Sequence, residues 1–207
     1  MKPEAGKAGG GEFPFLDRVD EFVADSFTAA GNLLTLKHLR RTLFWLLELA
    51  PAAGEALRIA ALAHDIERAF REDKVYARMF TSARAFRDPA FLTYHQERSA
   101  KIIAAHLAAI AAPPALRDKV FYFVSRHEIG GDPEADLLRD ADSLSFFEVN
   151  TDLFVTVKVE EAGPQAVREK FDWMFSRITV PKARELCRPL YAAACRRLAA
   201  AGNPAGE

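Results

Sequence analysis

The sequence predicts an all-α fold, a single compact helical domain. Three observations carry this. Apolar residues recur at spacings of three and four along almost every segment. Alanine, the strongest helix former, is the commonest residue. The one strand-like stretch, 154–159, alternates weakly and has no partner run, so it reads as the extension of a helix.

The elements follow in order. Phe15, Leu16, Val19, Phe22, Val23 and Phe27 form one helical face, which Gly31 interrupts. A second helix spans 33–49 and Pro51 closes it. A third spans 52–70 and is apolar on most sides, which places it centrally. The stretch 71–89 is charged and broken. Helix returns over 91–111, ended by Pro113 and Pro114, and again over 116–127. Gly130, Gly131, Asp132 and Pro133 make a turn. Helices are then expected near 135–150, 164–177 and 181–200.

The chain has 207 residues, 50% of them hydrophobic and 28% charged, which suits one packed domain and excludes a disordered chain. We assign the domain to 12–200, between flexible tails at 1–11 and 201–207. The net charge of -1 gives no global attraction to a nucleic acid polymer or an anionic membrane. No apolar stretch is long enough to span a bilayer, and the first residues lack the apolar core of a signal peptide. Cys187 and Cys195 would lie about 12 Å apart on one helix, too far for a disulfide, so a cytoplasmic location is expected.

The five histidines are more informative. His64 and Asp65 interrupt the most apolar helix, where an uncompensated carboxylate costs several kcal/mol. A divalent metal would offset that cost, and so would an arginine partner. His38 lies in the preceding helix and can face His64. Asp140 and Asp142 follow downstream, where either would also serve as a helix cap. His106 shares the face of His95 but sits about 16 Å further along the axis, so it is set apart as a structural or surface residue.

The ordered set His38, His64-Asp65 and Asp142 resembles the HD-domain superfamily of metal-dependent phosphohydrolases over roughly residues 20–150. The final aspartate of that family belongs to an Ala-Asp pair, which selects Asp142 over Asp140. The resemblance implies one metal held by two imidazoles and two carboxylates. His95 and His127 occupy, in chain order, the places where extended members carry a second metal, as in HD-type cyclic-dinucleotide phosphodiesterases and di-iron oxygenases; in mono-metal members such residues touch the substrate phosphate. The donor set suits Mn, Fe, Ni, Co or Mg, one or two ions.

The implied function is hydrolysis of a nucleotide or other small phosphate ester through metal-activated water. The alternatives are an HD-type di-iron oxygenase on the same ligands and a non-catalytic nucleotide-binding module. Many family members continue His-Asp with Ile-Gly-Lys; here Ile66-Glu67-Arg68 follows, so Arg68 either replaces that lysine or pairs with Glu67. Arg98 and Lys101 are further candidates for the substrate phosphate, within a basic surround that includes Arg71, Lys74, Arg78, Arg84 and Arg87. Glu128 is a candidate general acid or base. The helix at 181–200 serves equally in a core or in a homodimer interface.

Overall fold

Residues 12–71 and 88–201 are described by the computed structural model. The expected tails apart from Ala201, which ends the last helix, most of the charged stretch 71–89, and Lys74, Arg78, Arg84 and Arg87 lie outside them. Among the described residues there is no strand, and eight helices of nine residues or more form one all-α domain.

Helix α1 (Leu16–Ala29) buries Val19, Val23 and Phe27, one stripe at spacing four. Its start is capped across the fold: Glu55 Oε1 accepts from the Phe15 and Leu16 N–H groups at 2.7 and 3.2 Å. Asn32 opens α2 (Leu33–Leu49) by accepting from the Thr35 N–H. Helix α3 (Glu55–Ala63) buries every residue from Ile59 to Ala63.

The third helix does not run to residue 70. It stops at His64, and a 3₁₀ turn (Ile66–Ala69) follows, with Arg68 N donating to Asp65 O and Phe70 N to Glu67 O. The tighter winding turns His64, Asp65 and Glu67 toward separate partners, which one straight helix face would not do.

Asp88 caps α4 (Pro89–Ala109) by accepting from the Ala90 and Phe91 N–H groups. Helix α5 (Pro114–Val124) ends three residues before His127, which lies in the following turn. Asp132 caps α6 (Pro133–Ser145). The chain then stays helical to Ala162, through a π turn (Phe146–Asn150), a short α piece (Thr151–Leu153), a second π turn (Phe154–Lys158) and a last α turn (Val159–Ala162). The segment 154–159 is therefore helical, as its lack of a partner strand requires. Helices α7 (Pro164–Ser176) and α8 (Pro181–Ala201) complete the domain. Cys187 and Cys195 on α8 are free thiols.

Two apolar cores result. One gathers residues of α1 to α5 with Ala135, Leu138 and Ala141 of α6. The other gathers Leu144, the π turns, α7 and α8. Trp45 and Leu49 of α2 pack against both. Asp142 therefore sits where α6 passes from one core to the other. Glu148 ties the first π turn to α2, accepting from Arg41 Nε at 2.8 Å and Trp45 Nε1 at 2.7 Å. No helix among the described residues is long and apolar enough to cross a membrane.

Candidate metal centre

Four histidines and two aspartates meet at this junction, delivered by α2 (His38), the end of α3 (His64, Asp65), α4 (His95), the turn after α5 (His127) and α6 (Asp142). All six are buried. They form two groups that share Asp65. In the first, His38 Nε2 lies 3.3 Å from His64 Nε2, 3.0 Å from Asp142 Oδ1 and 4.0 Å from Asp65 Oδ2. In the second, His95 Nε2 lies 2.8 Å from Asp65 Oδ1 and 3.2 Å from His127 Nε2. Each of His38–His64–Asp65 and Asp65–His95–His127 brings three donor atoms within 4.8 Å of one another.

The other ring nitrogens decide what the Nε2 atoms offer. His64 Nδ1 and His127 Nδ1 lie 3.1 and 2.8 Å from the Ala61 and Val124 carbonyls, so both carry the proton. His95 Nδ1 donates to Glu67 Oε1 at 2.8 Å. Ser145 Oγ commits its proton to the His38 carbonyl at 2.7 Å, so at 2.9 Å it accepts from His38 Nδ1. In their neutral forms all four imidazoles therefore turn an Nε2 lone pair inward, toward carboxylate oxygens that are also acceptors. Such a cluster needs cations at its centre, and a mixed N/O donor set held by outer hydrogen bonds suits a divalent metal.

Without a metal, protons supply part of that charge. Burial works against the His95 imidazolium, but Asp65 and Glu67 outweigh it and raise its pKa to about 9. His127 goes the other way: burial, helped by His64, lowers it to about 4. Burial opposes ionisation of Asp65, yet Arg68, His95 and His64 hold its carboxyl well below the usual range.

A family model described as a domain of unknown function, DUF4202, matches residues 25–177. The chain belongs to this family. The matched region of the DUF4202 domain contains all six candidate ligands. No curated protein and no solved structure matches the chain.

Three of the six candidate ligands in this DUF4202 domain, His38, Asp65 and Asp142, line a cavity of about 580 Å³, room for a ligand of small-molecule size. Phe91, Phe146, Phe154, Val167 and Met174 form apolar wall. Arg68, Arg71, Lys158 and Lys170 place four cations around it. Phe146, Asn150, Phe154 and Lys158 all face in at intervals of four. A plain α-helix would drift about 40° at each interval, setting the ends about 120° apart. The two π turns take up that drift.

Arg68 Nε lies 3.0 Å from Asp65 Oδ2, three residues back, whereas the adjacent Glu67 leaves the backbone in another direction. Glu67 instead accepts from His95 Nδ1 and from Arg71 Nη2, both at 2.8 Å, which links the buried cluster to the half-buried Arg71. Glu128 lies at the cavity wall with its carboxylate on Arg177, which holds its pKa down against the effect of burial. Asp140 turns away from the histidines: it accepts from Arg139 and from the Thr179 and Val180 N–H groups, capping the entry to α8. Lys101 is exposed and paired with Glu97 at 3.0 Å. Arg98 donates to the Phe70 carbonyl at 3.0 Å. Neither of these two lines the cavity, because α4 turns them to a separate shallow groove. His106 stacks on Phe22 with ring centroids 3.9 Å apart, clear of the cluster.

Two cations escaped the sequence reading. Arg177 donates to Asp142 Oδ2, to Glu128 and, at 2.8 Å, to Ser143 Oγ. Lys170 lies on the same side of α7. Nothing in their local sequence separates them from the other 26 Lys and Arg residues; only the helical interval of seven between them hints at a shared face.

Proposed function

We propose that this protein is a metal-dependent phosphohydrolase of the HD type, acting on a nucleotide or other small phosphate ester. The observation that carries the reading is the ordered set His38, His64, Asp65 and Asp142, three of which line a cation-bearing cavity with His64 against His38 behind them. A divalent ion there would make water nucleophilic near neutral pH and draw charge from a phosphoryl oxygen.

The chain's own groups have separate tasks. His38 and His64 present Nε2 lone pairs fixed by Ser145 and the Ala61 carbonyl. Arg177 holds Asp142 Oδ2, so that Oδ1 faces the imidazoles. Arg68 stands at the cavity side of Asp65 and neutralises incoming phosphoryl oxygens. Glu128, held ionised by Arg177, suits a proton acceptor and not a proton donor.

The test is a screen of phosphate mono- and diesters with protein loaded in turn with Mn, Fe, Ni, Co and Mg, beside His64→Ala. Turnover by the wild type alone supports the reading. Phosphate-ester binding without turnover under every metal would sink it in favour of a binding module.

A second reading rests on Asp65, whose two oxygens serve the two histidine groups. A shared carboxylate is also what a di-iron oxygenase would need. Substrate-dependent oxygen consumption by the iron-loaded protein would favour that reading.

A further inference from the structure

The inner side of α7 carries Val167, Lys170 and Met174, and the residue that caps its end, Arg177, continues the same stripe at intervals of three and four. Val167, Lys170 and Met174 line the cavity, and Arg177 holds two carboxylates that line it, Asp142 and Glu128. Lys170 is thus the charged residue that α7 presents to the cavity above the carboxylates, one turn beyond Met174. Its ammonium stands 4.3 Å from the centre of the Trp173 ring and 5.5 Å from that of Phe146, so aromatic faces replace part of its hydration shell. Glu128, Arg177, Asp142 and Arg68 all act on its charge, which places it within electrostatic reach of those carboxylates. Burial lowers its pKa to about 8, so it remains mainly protonated at neutral pH. On the facing side, Phe146 and Phe154 of the π turns stack edge to face with centroids 5.0 Å apart, a rigid apolar shelf beside that cation.

We propose that Lys170 joins Arg68 in binding the phosphoryl oxygens of the substrate, from the opposite wall of the cavity, while the organic part lies along the shelf of Phe146 and Phe154. The substrate class is then a phosphate monoester with a flat apolar or aromatic portion. This rests on the phosphohydrolase reading and names a residue that the resemblance does not supply. Lysine recognises phosphate as a point charge, so arginine retains much of the function and methionine does not.

The probes are inorganic phosphate and phenyl phosphate, titrated calorimetrically into Mn-loaded wild type, Lys170→Met and Lys170→Arg. Metal content and thermal midpoint are recorded for each. Lys170→Met is expected to weaken phosphate binding about 10- to 100-fold, the range for a lost hydrogen bond to a charged group. Its metal content and midpoint are expected to match wild type, Lys170→Arg to stay within a few-fold, and phenyl phosphate to bind wild type more tightly than phosphate. If Lys170→Met binds phosphate as wild type does, the proposal falls and the phosphohydrolase reading stands. If Lys170→Met loses metal or folds poorly, the Lys170→Arg variant decides: a loss of phosphate binding of about 10-fold or more, at full metal content, overturns the role. If metal-loaded wild type binds neither probe, both readings fall.

Discussion

At the scale of single residues, the centre depends on which nitrogen holds each proton. His38 Nδ1 is fixed by Ser145, His95 Nδ1 by Glu67, and the other two by main-chain carbonyls. Removing the hydroxyl in Ser145→Ala frees the His38 tautomer. Metal affinity is expected to fall about 10- to 100-fold, measured by competition with a chelating dye; an unchanged affinity would contradict the tautomer argument. The pH dependence follows from His95. Its pKa near 9 means that at pH 7 it holds a proton that a metal must displace. Affinity should therefore climb as pH rises, about tenfold per unit for one displaced proton, and level off near pH 9. Calorimetry in two buffers of different ionisation heat measures the released proton, and zero release at pH 7 is the contrary result. The scarcity of histidine made these ligands legible in the sequence, because five residues in an all-helical chain leave few arrangements. Glu67 was less legible. It looked like a departure from a familiar pattern, whereas its carboxylate orients His95 and pairs with Arg71.

At the scale of elements, periodicity revealed the helices and concealed their interruptions. The apolar spacing continues through Ile66 after α3 has ended, so the 3₁₀ turn that splays His64, Asp65 and Glu67 was invisible in the pattern. The π turns were equally hidden, since one extra residue in a turn leaves Phe146, Phe147 and Val155 all buried. The role of Arg177 was hidden from spacing, which hints only at a face shared with Lys170, because its partners Asp142 and Glu128 are remote in sequence. Two positions away from the cluster are testable. Gly130 has φ of 68°, and a methyl group there would strike the Asp136 carboxylate and the Arg139 guanidinium. Gly130→Ala is expected to cost about 1–3 kcal/mol in urea unfolding; a cost below a few tenths would show that the loop yields freely. Asp140 caps the start of α8 from α6. Asp140→Asn should destabilise by a similar amount while metal content stays the same, and metal loss without destabilisation would return Asp140 to the ligand set.

For the whole molecule, the cluster lies where two hydrophobic cores meet, and its ligands come from five consecutive stretches of the chain. A bound ion would tie those stretches together only in the folded state. At a free concentration 1,000 times Kd it adds about 4 kcal/mol, worth roughly 8–16 °C in Tm for a chain of this size. Scanning calorimetry with and without a chelator measures this shift. The central claim is that the six residues form a metal centre, and it is tested most directly by elemental mass spectrometry of protein purified without added metal, beside His64→Ala/Asp65→Ala. One or two divalent ions per chain in the wild type, lost in a double variant that remains folded by circular dichroism, is the predicted result. A wild-type protein that holds no metal, and still takes up none when Mn, Fe, Ni, Co or Mg is supplied, would contradict it.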